Sequence, residues 1–577
     1  MRIPTLINPT FREQHGRIGR TLTIAGGVVV AVSAYLPWAY SRDALDNMTF
    51  LGGPSPLQYL GLALGLIAAI AAAMSLVEPA LRARGAKVVS VLKRFAWLRG
   101  ARTAAISALI YLVVVLLAIA LELGGLVTIE WGGWVGLVGA LVAVAGSMIM
   151  PIGRVNRLSD AKAPAWLEII CIAILLGVGM LAVAYTLNQN DGGTFLAMIA
   201  FLSSLSAILA KLGIGAWLSG VSKRHRNVLV FAAFAAAFLF PFTQNGSDQN
   251  MSIATQVLVF AATAVGLNIV VGLAGLLDLG YIAFLGAGAF TAAVLSQSAF
   301  ATVGWKPPFI VVMLISGVVA AALGLIIGSP TLRVSGDYLA IVTLAFGEIF
   351  RITMNNLDGA DGPNLTNGNS GIPAIPNLNL FGFDFGVPHV VAGIPLGRFS
   401  NYFFLMLLVM ALIVLVFTRL NYSRIGRGWV AIREDERAAE AMGVNVFGLK
   451  LLAFAGGAFL AGFAGAVKAH VDVSVTPEQY VFLESAFLLA AVVLGGMGTV
   501  LGVIIGATLL KLLPEKLRFV NEYRLLIFGL LMVLMMRFRP EGLVPNSRRQ
   551  LEFHADDEQL ASDIGEEHPY EFAEKSR

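Results

Sequence analysis

Long apolar runs alternate with short polar segments along nearly the whole chain. Uninterrupted apolar stretches predict helical spans near 21–40, 56–77, 103–121, 132–150, 165–186, 194–219 and 227–243. A second series follows near 252–271, 281–300, 308–328, 338–352, 401–418, 449–469, 481–497, 500–513 and 523–537. A helix needs roughly 20 apolar residues to cross the hydrocarbon core. The runs are continuous, without the period-2 alternation in segments of about 10 residues that a membrane β-barrel shows. The pattern predicts an all-α polytopic integral membrane protein with about 16 transmembrane segments. The stretches at 338–352 and 500–513 are short, which suggests re-entrant or protein-buried segments.

Composition agrees. Only 13% of the 577 residues are charged, and 57% are hydrophobic, where a soluble chain carries about 25% charged residues. The 62 glycines suit close helix approach in a bilayer. A net charge of +5 does not point to nucleic acid, because the basic residues sit in short clusters between spans, as orientation signals do. These are Arg12/Arg17/Arg20, the group from Arg82 to Arg99, Arg154/Arg157/Lys162, Lys223/Arg224/Arg226, Arg333, the group from Arg419 to Arg437, and Arg537/Arg539/Arg548/Arg549. With about sixteen spans all of them fall on one side, so both termini are expected in the cytoplasm. The first apolar run is long and followed by more, so it is expected to stay as an uncleaved span. The one cysteine, Cys171, excludes an intrachain disulfide and a cysteine-based metal site.

The chain is expected to divide into an extension of about seven helices over 1–245 with bland loops, a core over 250–545, and an acidic tail over 546–577 that lacks periodicity and is expected to be disordered. The extension is expected to lack intramembrane acids, against a second transport path. The loop 355–398, rich in Gly, Pro and Asn, is expected to form turns rather than regular elements.

The core holds the informative stretches. "GRGWVAIREDERAAEAMGVNVFGLK" (426–450) places a charged, amphipathic helix, expected over 426–447, between two membrane-grade runs. Trp429, Ile432, Ala439, Met442 and Val446 share one side of a helical wheel and Gly443 ends it. The segment is either a solvated connector or a docking helix whose apolar ridge fits a groove on a soluble partner. In "GLAGLLDLGYIAFLGAGAF", Gly272, Gly275 and further glycines crowd Asp278 and Tyr281. Mid-helix glycine costs about 0.5–1 kcal/mol relative to alanine, so a break is expected, either as a tight turn or as a lining element whose freed backbone N–H groups hold a carboxylate. Asn268 is an intramembrane polar group beside it. "VSGDYLAIVTLAFGEIFRITMNN" carries Asp337, a candidate N-cap, Thr343 in mid-segment, and Glu348 three residues before Arg351. Glu348 either pairs with Arg351 or meets a passing ammonium group. Glu484 is a further intramembrane acid, expected to face the protein interior, and Gly495 and Gly496 in "LGGMGTVLG" allow a sharp reversal.

These motifs, with "GLNIVVGLAGLLDLGYIAFLGAGAF" (266–290), "LRVSGDYLAIVTLAFGEIFRI" (332–352), "LLAAVVLGGMGTVLGVIIGATLL" (488–510) and "FRPEGLVP" (538–545) in the same order, closely resemble the branched-chain amino-acid ABC transporter permeases of the LivM type. The resemblance covers roughly 250–545. It implies the membrane subunit of an ATP-driven importer in a bacterial inner membrane. Its implied partners are two ABC ATPase subunits holding ATP and Mg, a second permease subunit of the LivH type, and a periplasmic binding protein that delivers the amino acid. No GxxxxGK[ST] motif occurs in the chain, so it has no P-loop ATPase of its own, and no cofactor is expected on it. Arg427, Trp429, Arg433, Glu434, Arg437 and Gly443 are then candidates for ATPase coupling. Asn268, Gly272, Gly275, Asp278, Tyr281, Asp337, Thr343, Glu348, Glu484, Gly495 and Gly496 are candidates for the substrate path. An importer of urea, amides or other amino acids is the near alternative. A self-sufficient transporter or channel leaves the charged segment unexplained. A membrane enzyme needs convergent acids or a metal site. Lys468, His470 and Asp472 lie together near an outer edge, but a metal site there lacks further ligands.

Overall fold

A computed structural model describes residues 9–39, 56–83, 95–151, 164–188, 192–244, 246–331, 337–360, 362–391, 393–516 and scattered positions from 526 to 544. The acidic tail, most of the expected span at 523–537 and the early part of "FRPEGLVP" lie outside the described residues. The described chain is mostly helical, and among the described residues eleven helices are long and apolar enough to cross a membrane. The protein is a multi-pass membrane protein. It divides into two compact units, residues 1–245 with 516–521, and 246–515 with 522–577.

The first unit contains α1 (Pro9–Ser33), α2 (Pro56–Ala83), α3 (Trp97–Leu123), α4 (Trp131–Ile149), α5 (Ala165–Asn188), α6 (Gly192–Leu212), α7 (Ile214–Arg224) and α8 (Arg226–Leu239). The span expected over 194–219 is two helices, because Gly213 takes a positive φ of 97° between them. Helix α1 begins at Pro9, well before the apolar run. Glycines bring α1 and α4 into backbone contact. A Cβ on Gly26 would stand 2.5 Å from the Gly139 carbonyl, and one on Gly146 would stand 2.7 Å from the Gly19 carbonyl. Small residues at such crossings give membrane helices their van der Waals contact.

The extension holds a buried acid at a helix end: Glu168 is 2% exposed. Arg224 donates to it from Nη2 at 2.6 Å, and His225 Nε2 lies 3.0 Å away. The sequence pattern hid this because Glu168 stands in the first turn of α5 while its partners follow 56 and 57 residues later. Glu168→Ala should lower the melting temperature of the detergent-purified protein by a few degrees, since a stranded partner costs about 1–3 kcal/mol. Tryptophan fluorescence during a thermal ramp checks this.

The second unit contains α9 (Asp248–Asn268), continued by a π turn over Ile269–Leu273, then α10 (Ile282–Val294), α11 (Phe309–Thr331), α12 (Asp337–Asn356), α13 (Arg398–Asn421), α14 (Arg424–Glu434), α15 (Glu436–Ala441), α16 (Val446–Asp472), α17 (Phe482–Gly495) and α18 (Val500–Lys516). Helix α9 is buried along nearly its whole inner length, and α16 packs against α9, α10, α11 and α13. The span expected over 281–300 is a 13-residue helix, α10, and the segment expected to be short at 338–352 is the 20-residue α12. The loop expected to be turns alone carries two small antiparallel pairs. In these β1 (Asn379–Leu380) pairs with β2 (Phe383–Asp384), and β3 (His389–Val391) pairs with β4 (Ile394–Leu396).

Candidate functional site

Two helices of the second unit break inside the bundle, and the breaks meet. The first follows the π turn. Such turns free backbone groups from the regular ladder, and here Gly275 at φ +72° turns the chain out of the helix. Residues 274–281 are then not helical until α10 starts. The second break joins α17 to α18 through Gly496 at φ +121° and Gly498 at φ +79°. Both angles lie where L side chains are disfavoured. Gly542–Val544 closes over this turn: Leu543 N donates to the Leu494 carbonyl at 2.8 Å and Val544 N donates to the Gly495 carbonyl at 3.0 Å.

Asn268 ties the two breaks together. Its side chain is fully buried. Oδ1 accepts from Gly498 N at 2.8 Å, and Nδ2 donates to the Thr499 carbonyl at 3.3 Å. Gly272 leaves room for this clasp, because a Cβ there would stand 2.0 Å from Asn268 Oδ1.

Around the first break the candidates converge. Asp278 is 1% exposed, and its Oδ1 accepts from Gly280 N at 2.9 Å. Oδ2 has no hydrogen-bond partner. Thr343 Oγ1 accepts from Leu279 N at 3.0 Å, which moors the break to α12. Tyr281, also fully buried, donates to the Gly457 carbonyl of α16 at 2.6 Å. Gly280 lies against α12 so closely that a Cβ would sit 1.8 Å from the Thr343 carbonyl. Gly280→Ala should therefore force backbone apart and cost more than the about 1–3 kcal/mol usual for overpacking. Loss of a monodisperse peak in fluorescence-detected size exclusion is the expected readout.

Other path candidates stand elsewhere. Glu348 takes Arg351 Nη2 at 2.9 Å, and the same guanidinium reaches Glu478 at 2.7 Å. The pairing alternative is the one realised. Glu484, expected to face the interior, is half-buried and bonded to Lys511 Nζ at 2.8 Å, whose ammonium stands 4.7 Å from the centre of the Phe260 ring. Asp337 opens α12, and its side chain lies outside the described residues.

The charged segment is two helices, not the single helix expected over 426–447. Ser423 caps α14 by accepting from Gly426 N at 3.2 Å. Asp435 interrupts the helix and caps α15 by accepting from Ala438 N at 3.0 Å. Gly443, at φ +81°, ends it. The apolar ridge splits: Trp429, Ile432 and Ala439 face inward, whereas Met442 is 85% exposed. Trp429 is 1% exposed and Ile432 4%, and Trp429 Nε1 donates to the Leu449 carbonyl at 2.7 Å. This corrects Trp429 as a partner contact: the chain's own core takes that side chain, while Met442 stays exposed.

Arg433 is likewise turned inward. Its Nη1 donates to the Gly272 carbonyl at 3.0 Å, and its stem fills the space that a Cβ on Gly275 would take at 2.5 Å. The charged segment and the broken helix are thus in direct contact, a juxtaposition absent from the sequence reading. Arg427, Glu434, Arg437 and Glu440 remain exposed. Among the described residues no group of three His, Cys, Asp or Glu side chains could hold a metal ion.

Residues 249–536 match the model of the family described as "Branched-chain amino acid transport system / permease component". The chain is 42% identical over 341 residues to the High-affinity branched-chain amino acid transport system permease protein LivM of Salmonella typhimurium, covering 56% of this chain and 76% of that protein. The Escherichia coli LivM matches at the same identity and coverage. The E. coli permease protein LivH is 29% identical over 128 residues, 22% of this chain and 41% of that protein. No solved structure matches. The 1–245 unit lies outside the matched family residues. By the family model and these relatives, the chain belongs to the branched-chain amino acid transport permease family of the LivM type.

Proposed function

We propose that this chain is the membrane permease subunit of an ATP-driven importer of branched-chain amino acids, seated in a bacterial cytoplasmic membrane with the 424–441 segment and both termini on the cytoplasmic side. The ATPase subunits, with their ATP and Mg, are separate partners. A LivH-type permease completes the path, and a periplasmic binding protein delivers the substrate at the end that carries the 357–396 loop.

The observation that carries this reading is the contact of Arg433 with the Gly272 carbonyl. A cytoplasmic segment that touches the break in a buried helix can move the break when a partner pulls on the segment. The exposed charges Arg427, Glu434 and Arg437 supply the docking face, and the buried Trp429 and half-buried Arg433 pass the movement inward. Residues 274–281, with Asn268, Asp278, Tyr281 and Thr343, form the moving wall of the path. The tagged full chain, co-expressed with ABC ATPase subunits of the same transporter family, should retain them in mild detergent and lose them on combined Arg427→Glu and Arg437→Glu substitution. Cells with the complete system should take up radiolabelled leucine. Absence of both ATPase and uptake in the wild type sinks the importer reading in favour of a self-sufficient transporter or channel.

A further inference from the structure

The far end of α16 from the charged segment holds a polar cluster that the path described above does not use. Lys468 and Asp472, one turn apart, form an ion pair, and each side chain is only 16% exposed. Gln256 Nε2 of α9 donates to the other carboxylate oxygen at 2.5 Å. The Lys468 ammonium stands 5.9 Å from the centre of the Tyr480 ring. Tyr480 is 1% exposed, yet its hydroxyl has no hydrogen-bond partner, and neither does the buried Gln479 Oε1 beside it. Buried hydroxyls without a partner are rare and costly. The Tyr480 ring lies 5.9 Å from that of Phe290, which lies 6.3 Å from that of Phe350. Gly286 makes room for these rings, since a Cβ there would stand 2.7 Å from Phe350 and 3.0 Å from Tyr480.

The backbone beside the pair is strained. Val473, directly after Asp472, sits at φ +63°, a conformation that a β-branched residue rarely adopts. It is held there by the loop, where Ile375 N donates to the Val473 carbonyl at 2.9 Å. Such strain gathers at sites that bind or switch.

An ion pair, an orphaned hydroxyl and an aromatic wall match the parts of one ligand class, the apolar α-amino acid zwitterion. Inserted into the pair, its carboxylate takes Lys468 and its ammonium takes Asp472. No buried charge is left unpaired by the exchange, which avoids the main cost of opening a buried ion pair. We propose that Lys468, Asp472 and Tyr480 form an amino-acid binding site at the mouth of the path, with the substrate side chain against Phe290 and Phe350; this rests on the importer reading above.

The test is direct binding of radiolabelled leucine to the purified full chain in nanodiscs, beside uptake by cells with the complete system. Leucine should bind, and two competitors lacking one charge each, 4-methylpentanoate and 3-methylbutylamine, should compete at least tenfold more weakly, the scale set by losing a hydrogen bond to a charged group. Tyr480→Phe keeps the ring and should weaken binding severalfold. In Lys468→Met the competitor without a carboxylate should match leucine, which loss of a merely structural pair would not produce. Exchanging the charges, Lys468→Asp with Asp472→Lys, should keep the protein monodisperse and still abolish binding. Wild-type uptake without any binding at millimolar leucine overturns this site and leaves the importer reading standing. So does wild-type binding by the charge exchange or by Tyr480→Phe. No uptake by the wild-type system overturns the importer reading and this site with it.

Discussion

Asn268→Leu should abolish leucine uptake and lower the melting temperature of the purified protein. Asn268 is the side chain on which both helix breaks depend: it accepts from Gly498 N and donates to the Thr499 carbonyl from a fully buried position. Leucine has the same branching but bulkier methyl groups, so it also crowds the clasp that Gly272 makes room for. The change strands one backbone donor, Gly498 N, while the Thr499 carbonyl keeps the bond it accepts from Val503 N. An unsatisfied buried donor costs about 1–3 kcal/mol. Fluorescence-detected melting reads the stability, and uptake at equal surface expression reads the function. Full uptake by the variant would show that the two breaks act independently. Asn268→Asp is the sharper control, since it keeps the acceptor for Gly498 N and loses the donor to Thr499.

Arg433→Ala should leave ATPase association intact and reduce uptake at least tenfold. The substitution removes a charge-assisted bond of about 1.5–3 kcal/mol to the Gly272 carbonyl, and it empties the space beside Gly275 that the side-chain stem fills. The protein should still insert, because Trp429 continues to anchor α14 through the Leu449 carbonyl. Arg433→Lys should fall between the two: the charge stays, while the planar fork that spans Gly272 and Glu434 is lost. Two assays separate the outcomes, ATPase co-purification and leucine-stimulated ATP hydrolysis in reconstituted complexes. If Arg433→Ala releases the ATPase while the substitutions at Arg427 and Arg437 do not, the docking face lies on the inner side of α14 and the assignment of roles reverses.

Much of the architecture is legible in the chain because apolar run length and glycine crowding are local signals. The run at 401–418 becomes α13, and the crowded glycines from Gly272 to Gly280 mark the break at 274–281. What escaped the sequence is long-range. An amphipathic ridge says that a face will be buried but not by what, so Trp429 reads equally as a partner contact and as core. Arg433 and Gly272 are separated by 161 residues, and Asn268 and Gly498 by 230. No periodicity joins such pairs. Glu348 with Arg351 was legible because three residues on a helix fixes their proximity, whereas Glu484 with Lys511 was not, since a turn at Gly495–Thr499 intervenes.

Helix α16 has a consequence for timing between the two ends of the core. Its 27 residues form one continuous rod, about 40 Å long at 1.5 Å per residue. Near one tip Lys450 is bonded to Glu436 of α15, and near the other Lys468 is paired with Asp472. A rod pivoting by only about 10° about one tip sweeps the other through about 7 Å, more than a full helical turn of rise. One stiff lever of this kind would make opening at one mouth and release at the other a single concerted event, so the two ends could not be gated by separate clocks.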